Sequence, residues 1–165
     1  MQQQSFFTPP PLVHGGEFAL RTRKARRPFD PRRSLHATYK ARRPVLYGRR
    51  AKIEKDIRAW AARFHVKLYA LAVNFDHIHL VLLAPSKRLL NAFQRAFTSR
   101  LATLFGQGIW ALLPFSRVVS WGRDFRTVLA YVRKNREEAE GKRPYEKRKD
   151  WYRRQKKKAR KGGKP

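Results

Sequence analysis

Cysteine is absent from this 165-residue chain, and acidic residues are scarce: 11 Asp and Glu stand against 40 Lys and Arg, which gives a formal charge of +29. Without thiols, disulfides and thiolate metal sites are excluded. No run of about 20 apolar residues is present, so the sequence predicts no membrane-spanning helix. The N-terminus also lacks the charged and then apolar segments of a secretory signal. We therefore expect a cytoplasmic protein that has no membrane partner.

The positive charge predicts a polyanionic partner, because self-repulsion on this scale needs neutralisation. Basic residues are densest near the two ends of the chain. Between Arg21 and Arg50 twelve basic residues face only Asp30, and from Lys142 onward 13 face two acidic ones. Such segments can be solubilising tails, but in a chain that is basic throughout they favour contacts with phosphates. Nucleic acid is the expected partner, and a nucleoid-associated location follows.

The pattern divides the chain into three parts. Residues 1–32, rich in Pro, Gly and basic side chains, are expected to form a disordered basic arm. Residues 33–141 have the regular apolar patterning of one ordered domain, and their number suffices for one core. Residues 142–165 lack apolar periodicity and are expected to form a basic, disordered tail.

Within residues 33–141 the apolar periodicity predicts the order strand, helix, hairpin, helix, strand, helix, and thus an α+β fold. The second strand of the hairpin is apolar on both faces apart from its histidines, which predicts a central strand covered by helices. Ser86 is expected to open the second long helix and Asp124 to cap the last one. The predicted segments are strands Ser34–Lys40, Val66–Val73, His77–Leu83 and Arg117–Trp121, a helix Arg49–Phe64, a helix with the stripe Leu90, Phe93, Phe97, Leu101 and Leu104, and a helix that buries Phe125, Val128, Leu129 and Val132.

The central strand carries a His-Ile-His sequence, His77 to His79. Residues two apart on a strand share a face, so the two imidazoles lie side by side. A lone buried histidine is usually satisfied by hydrogen bonds. Two on one face of an apolar strand would cost on the order of 1–3 kcal/mol each if left unpaired, which favours a metal site. Asp76 is expected to alternate to the opposite face and is not counted as a ligand.

The last predicted helix carries Tyr131 and Asn135, which are four residues apart. This spacing places both side chains on one face, one turn apart. Taken alone, the tyrosine would be a packing residue and the asparagine a solvated one. Their combination with a His-x-His strand in a strongly basic domain indicates a catalytic site that acts on nucleic acid.

At these residues the sequence resembles the HUH single-tyrosine transposases, and within them the REP-associated tyrosine transposases. Leu71–Ala84 (LAVNFDHIHLVLLA) is similar to the family's turn and His-hydrophobic-His strand, and Leu129–Asn135 (LAYVRKN) to its Tyr-hydrophobic-x-x-Asn helix. Ser34–Lys40 (SLHATYK) resembles the opening strand. Asn135 stands where the insertion-sequence branch usually has Gln, although Arg136–Ala139 (REEA) replaces the Pro and Gly that usually follow.

The resemblance implies the IS200-like transposase domain, with an antiparallel sheet flanked by helices in the ferredoxin-like arrangement of HUH endonucleases. It implies that Tyr131 is the nucleophile and that His77, His79 and Asn135 hold one Mg²⁺ or Mn²⁺. The implied activity is cleavage and rejoining of single-stranded or hairpin repeat DNA through a 5′-phosphotyrosine, by a monomer or a homodimer.

Basic side chains away from the apolar stripes, and those of the tail, are expected to contact DNA phosphates. Two other functions stay open at this point. A non-catalytic basic nucleic-acid-binding protein would explain the charge but not the histidine and tyrosine set, and a carboxylate-dependent nuclease would need two or three converging acidic residues. The expected phosphate contacts are Arg95, Arg100, Arg133, Lys134, Lys156, Lys157 and Lys158.

Overall fold

The computed structural model describes residues 13–17, 26–146 and 153. Within them no helix is both long enough and apolar enough to cross a membrane. A short 3₁₀ turn at Tyr47–Arg49 precedes the first α-helix. In chain order the elements are β1 (Val13–His14), β2 (Ser34–Lys40), α1 (Arg50–Arg63), β3 (Lys67–Val73), β4 (His77–Leu83), α2 (Lys87–Phe105), β5 (Phe115–Val119) and α3 (Arg123–Ala139).

The five strands form one antiparallel sheet in the order β1-β5-β2-β4-β3. The predicted α+β class, the hairpin of β3 and β4 and the central place of β4 are all confirmed. The register of β2 and β4 pairs Thr38 with His79 and Lys40 with His77. Directly paired residues share a face of the sheet, so the two histidines of β4 face the same side as alternate residues of β2.

Helices cover both faces of the sheet. On one face α1 and α2 pack on a large apolar core, to which β4 contributes Ile78, Leu80 and Leu82. On the other face α3 packs on a smaller cluster, to which Val128 and Val132 contribute. The predicted stripe of α2 is confirmed, with Leu104 only partly buried at its end, and the Ser86 hydroxyl accepts a hydrogen bond from the Leu89 N–H at the start of that helix.

The last strand and the start of the last helix differ from the prediction. Strand β5 covers Phe115–Val119 and thus begins and ends two residues earlier than predicted. The backbone N–H of Ser120 donates to Asp124 Oδ2, which ends the ladder. The expectation that Asp124 caps α3 is wrong: Gly122, with φ of 89°, holds the N-cap position, and Asp124 lies in the first turn, where it pairs with Arg117.

A strand inside the N-terminal arm was not predicted. Val13 and His14 pair with Arg117 and Ser116 and form the edge of the sheet beyond β5. Gly16 N–H donates to the Leu113 carbonyl at 2.9 Å. Two residues are too few to show the alternation by which a strand is predicted from sequence. This strand forms because the edge of β5 offers unpaired backbone groups for hydrogen bonding.

Candidate active site

A cleft of about 250 Å³ opens at the end of the sheet where β4 begins. This end also holds the last residues of β2 and the first of β5, because both strands run antiparallel to their neighbours. Its lining includes three of the four residues expected to carry the chemistry, His77, His79 and Tyr131. The other lining residues are Gly16, Glu17, His36, Thr38, Lys40, Leu112, Leu113 and Phe115.

His79 contacts both the other histidine of β4 and the tyrosine of α3. The ring centroids of His77 and His79 lie 4.8 Å apart with the planes 83° to each other. The Tyr131 ring lies 5.4 Å from that of His79, also edge to face. Residues 52 positions apart in the chain are therefore brought together, as a site built from a strand and a facing helix requires.

The ring of His77 is held by its two neighbours in the turn before β4. Its Nδ1 lies 2.6 Å from Asp76 Oδ1, so this nitrogen donates its proton to the carboxylate. Its Nε2 accepts from Asn74 Nδ2 at 2.8 Å. The ring thus keeps its lone pair on Nε2, the arrangement by which a carboxylate orients a metal-binding histidine. Asp76 is accordingly not directed away from the site, as strict alternation would have it, but orients His77.

The ring of His79 is held by strand β2. Its Nδ1 lies 3.0 Å from the Thr38 hydroxyl oxygen and 3.3 Å from His36 Nε2. With the proton on Nδ1, the ring donates towards both groups and its lone pair is on Nε2. The His36 ring stacks on that of His79 with centroids 5.4 Å apart and planes 24° to each other. Both imidazoles of β4 are therefore held through Nδ1, and at His77 an ion bound to Nε2 would take the place of the Asn74 hydrogen bond.

Tyr131 differs from the core tyrosine of β2. It is buried to about nine tenths, lines the cleft and has the His36 ring at 6.2 Å, edge to face. Tyr39 is fully buried on the opposite face of the sheet, and burial raises the pKa of its hydroxyl. A phenol must lose its proton to act as a nucleophile. The two environments favour Tyr131 over Tyr39 for that role.

Asn135 lies one helical turn after Tyr131, as its spacing predicts, but it does not line the cleft. It is buried, and its Nδ2 donates to the Tyr131 carbonyl at 2.8 Å. The amide nitrogen is thus used within α3, which leaves Oδ1 as the atom for any ligand. The structure thus brings His77, His79 and Tyr131 together at the cleft. Asn135 lies on the same helix as Tyr131, one turn further along α3.

The sequence analysis missed four residues that hold or line the site. Asp76 was set aside, and His36, Thr38 and Lys40 of β2 were not considered. A signal was present, since these three residues alternate along a predicted strand and so share a face. Which face, and which neighbouring strand, depends on the sheet order.

The expected phosphate contacts lie on different sides of the molecule. Arg95 and Arg100 are on α2, across the sheet from the cleft, and Arg100 Nε lies 3.8 Å from Asp56 Oδ2. Arg133 is exposed on α3. Lys134 has a side chain only 2% exposed; its Nζ lies 3.0 Å from Glu138 Oε1 and donates to the Glu146 carbonyl. Its assignment as a phosphate contact is wrong, because a buried and paired ammonium cannot reach DNA. Lys156, Lys157 and Lys158 lie outside the described residues.

The donor set fits a divalent metal at the two histidines. In the described part of the chain no group of three or more His, Cys, Asp or Glu side chains is arranged to hold a metal. The expected set contains only two such residues, and its third member is an amide. The Nδ1 contacts of His77 and His79 are the observation in favour of the fit, because they direct the lone pair of each ring to Nε2. At His77 this lone pair accepts from Asn74, and a metal would replace that hydrogen bond.

Comparison with protein families finds one match. The model of the family described as "Transposase IS200 like" matches residues 34–135. A REP-associated tyrosine transposase solved in complex with a REP hairpin superposes with a TM-score of 0.55 at 15% identity, over 69% of this chain and 72% of that one. A candidate transposase from Deinococcus radiodurans R1 has a TM-score of 0.43 at 17% identity, over 68% and 98%. No curated protein sequence matches. The first of these superpositions, at 15% identity, supports the fold alone.

Proposed function

The chain belongs to the IS200-like transposase family, and on that premise we propose that it cuts and rejoins single-stranded DNA with Tyr131 as the nucleophile. The observation that carries the proposal is the convergence of Tyr131, His77 and His79 on one cleft. The strand and the helix that supply them are separated by α2 and β5 in the chain. A packing tyrosine would not need two imidazoles held through their Nδ1 atoms.

The chemistry begins at the Tyr131 hydroxyl. Its oxygen attacks the phosphorus of a phosphodiester, the bond from phosphorus to the 3′-oxygen breaks, and the phenol proton is lost to solvent as the leaving oxygen gains one. The products are a 5′-phosphotyrosine and a free 3′-hydroxyl. Since the phosphoester bond is conserved, a second 3′-hydroxyl can attack the phosphotyrosine and release Tyr131. No nucleotide cofactor is needed for the joining step.

Neutralising the phosphate is the second requirement of this reaction. Lys40 lines the cleft on the strand next to His77 and supplies a positive charge there. We infer that His77 and His79 hold one Mg²⁺ or Mn²⁺ through Nε2, with Asn135 Oδ1 as the third protein donor. The ion would displace the hydrogen bond from Asn74 Nδ2 to His77 Nε2. When bound, such an ion polarises the scissile phosphate with a charge that no ligand carboxylate reduces.

The substrate follows from charge and from the shape of the site. The formal charge of +29 predicts strong, salt-dependent contacts with phosphates. A phosphodiester has to enter between α3 and the sheet, which a bent single strand does more readily than a duplex. The REP-associated transposase with the similar fold is bound to a REP hairpin, and we infer that this chain also acts at hairpin repeats.

The test is covalent capture. The full-length protein is incubated with Mn²⁺ and single-stranded hairpin DNA made from any palindromic repeat found beside its coding region, and the products are separated under denaturing conditions. We expect a protein-DNA adduct that maps to Tyr131 by mass spectrometry, and none from Tyr131→Phe. DNA binding should survive this change, because the hydroxyl acts only in the chemical step.

Tyr69→Phe is the matched control, since Tyr69 packs against α3 through Phe125, away from the cleft. It should form the adduct like the unmodified protein. An adduct that persists in Tyr131→Phe, or that maps to Tyr39 or Tyr47, would contradict the nucleophile. Tight DNA binding without any adduct would favour the non-catalytic nucleic-acid-binding protein instead.

A further inference from the structure

We propose that Phe75 and Tyr47 form a stacking platform for an unpaired nucleobase of the substrate strand, next to the cleft. The inference rests on the proposed function, because it needs a single strand to enter the site. The platform is not part of the catalytic machinery. It would hold the nucleotide beside the scissile phosphate.

Phe75 is exposed in an unusual place. Its side chain is 52% exposed, although it lies in the tight turn between β3 and β4, where a polar residue would serve. A single exposed apolar residue needs no explanation. Phe75, however, packs on a second aromatic ring: its centroid lies 4.7 Å from that of Tyr47, with the planes 31° to each other. Together they form a flat, partly open aromatic surface.

The backbone holds this surface rigidly. The Leu46 N–H donates to the Phe75 carbonyl at 3.0 Å, and the Ala41 N–H donates to the Asp76 carbonyl at 2.6 Å. These two bonds join the β3–β4 turn to the loop after β2. An aromatic side chain that is already fixed loses little conformational entropy when a ligand stacks on it.

The surroundings of the platform are cationic. Arg42, Arg43 and Arg49 are exposed in the loop and 3₁₀ turn that carry Tyr47. Among the ion pairs of the described residues none involves these three arginines, whereas Arg50, 5.4 Å from the Tyr47 ring, is paired with Glu140. Arg42 Nε donates to the Trp110 carbonyl and Arg49 lies over the Phe105 ring, so the positive charge of both stays available for phosphates. An aromatic face carried by a cationic segment is an arrangement that binds single strands, with rings for bases and charges for phosphates.

The platform lies close to the chemistry. Phe75 and His77 are two residues apart, so their Cα atoms are within about 7 Å. The residue between them, Asp76, orients the His77 ring. A strand whose phosphate lies at His77 therefore passes beside Phe75. This position selects a nucleobase as the occupant over a peptide or a lipid, since the charge nearby suits phosphates.

Another exposed aromatic serves as the control. Trp121 is 44% exposed and follows β5 at the end of the sheet opposite the cleft. It packs on Tyr69 and Phe125, and its Nε1 donates to the Arg32 carbonyl. Trp121 thus has comparable exposure and aromatic partners but no place near the site.

The experiment measures binding of the full chain to fluorescein-labelled (dT)₁₂ and to a 12-residue abasic strand with the same phosphates, by anisotropy in EDTA so that no cleavage occurs. We expect Phe75→Ala and Phe75→Leu to weaken binding of (dT)₁₂ about fivefold or more, since fivefold corresponds to the smallest free energy typical of one stacked base. Phe75→Trp should retain affinity. All three variants should bind the abasic strand like the unmodified protein, and Trp121→Leu should change neither affinity.

Two results would overturn the platform. One is a Phe75→Leu variant that binds (dT)₁₂ normally, because leucine is apolar but cannot stack. The other is an equal loss on the abasic strand, which would indicate a general effect on folding or charge. Either result would leave the Tyr131 adduct intact, so the proposed function would stand. If the unmodified protein did not bind (dT)₁₂ at all, the single-stranded substrate itself would be refuted.

Discussion

The two faces of the sheet bury very different material. Among the described residues, the core cluster under α1 and α2 contains 21 buried residues, from Leu35 to Val118, whereas the cluster under α3 contains six. The large cluster therefore supplies most of the apolar burial that stabilises the fold. On the α3 face, His36, His79 and the cleft beside them occupy part of the area.

The difference shows how a small domain accommodates a polar site. Buried imidazoles are tolerated when they form hydrogen bonds. The hydrogen-bond partners of the His79 ring lie on β2. The side chains on the opposite face of β2 pack in the large core. One face keeps the strands in place, and the other uses their alternation to present reactive groups. Stability and chemistry should therefore separate when residues of the two faces are changed.

The largest expected effect is on the site face. His77→Ala should reduce adduct formation below detection, because it removes one of the two proposed imidazole ligands. The free energy of unfolding should change by about 1 kcal/mol or less, since the side chain is partly exposed and only its hydrogen bonds are lost. Single-turnover cleavage and urea unfolding on the same samples measure both.

Asn135→Ala should lower cleavage less than His77→Ala does, because water can replace an amide oxygen. Cleavage that resists EDTA would rule out the metal.

On the opposite face, Phe93→Ala should have the converse effect. Phe93 is fully buried in the large core, and its truncation should cost about 3–5 kcal/mol of unfolding free energy. Adduct formation per folded molecule should be unchanged. Arg95→Ala, two residues further along on the exposed side of α2, is the control and should stay within about 0.5 kcal/mol. A Phe93→Ala protein that is stable but inactive would break the separation between the two faces.

The basic tail sharpens the comparison for binding. Its described beginning lies against α3, where Glu146 N–H donates to Glu138, so a truncation should keep residues 1–146. Removing residues 147–165 should weaken binding to all DNA and flatten its salt dependence, by about 3.5 in the slope of log K against log salt if five single-strand contacts are lost. Titrations at several salt concentrations measure this. Preference for the cognate hairpin should persist, and an unchanged slope would mean that the tail only aids solubility.

Asp76→Asn tests the residue that orients His77. Asparagine keeps the size and an oxygen that can accept from Nδ1, but it loses the negative charge that strengthens this hydrogen bond and raises the basicity of the ring. Changes of this kind cost about 10- to 100-fold in metal affinity or activity. The concentration of Mn²⁺ that half-saturates adduct formation should therefore rise. Thr38→Val should act in the same direction on His79, but less, because His36 also lies at Nδ1. Asp30→Asn, in the surface pair with Arg33, should have no effect; a normal Mn²⁺ requirement in Asp76→Asn would refute the orienting role.

The smallest effect distinguishes the two faces for phosphate contacts. Arg133 lies on α3 and Arg95 on α2, and both are expected to contact DNA. If Arg133 contacts one phosphate of a single strand, Arg133→Gln should lower the salt slope by about 0.7. Arg95→Gln should do the same only if the DNA also reaches the far side of the sheet. Equal decreases would extend the binding surface across both faces, and no change in either would remove both arginines from it.

Local pattern was enough for much of this molecule. The period of two places His77 and His79 on one side of β4, and the period of 3.6 places Tyr131 and Asn135 on one side of α3. Both depend only on residues near in sequence, so they could be predicted without the fold. The predicted order of the elements from β2 onward and the predicted bounds of β2 and β4 were correct for the same reason. The predicted bounds of β5 were two residues too late, because Ser120 hydrogen-bonds to Asp124 instead of extending the strand.

Tertiary structure decided what surrounds those residues. Whether His36 and Thr38 meet His79 depends on β2 pairing with β4, a contact between residues about 40 apart. The burial of Lys134 depends on residues that fold back on α3. In both cases the packing of distant segments determines which group the side chain contacts, and hydrophobic periodicity carries no information about such contacts. The sequence by itself thus determined which side chains could share a face, and the sheet order and helix packing determined which faces meet.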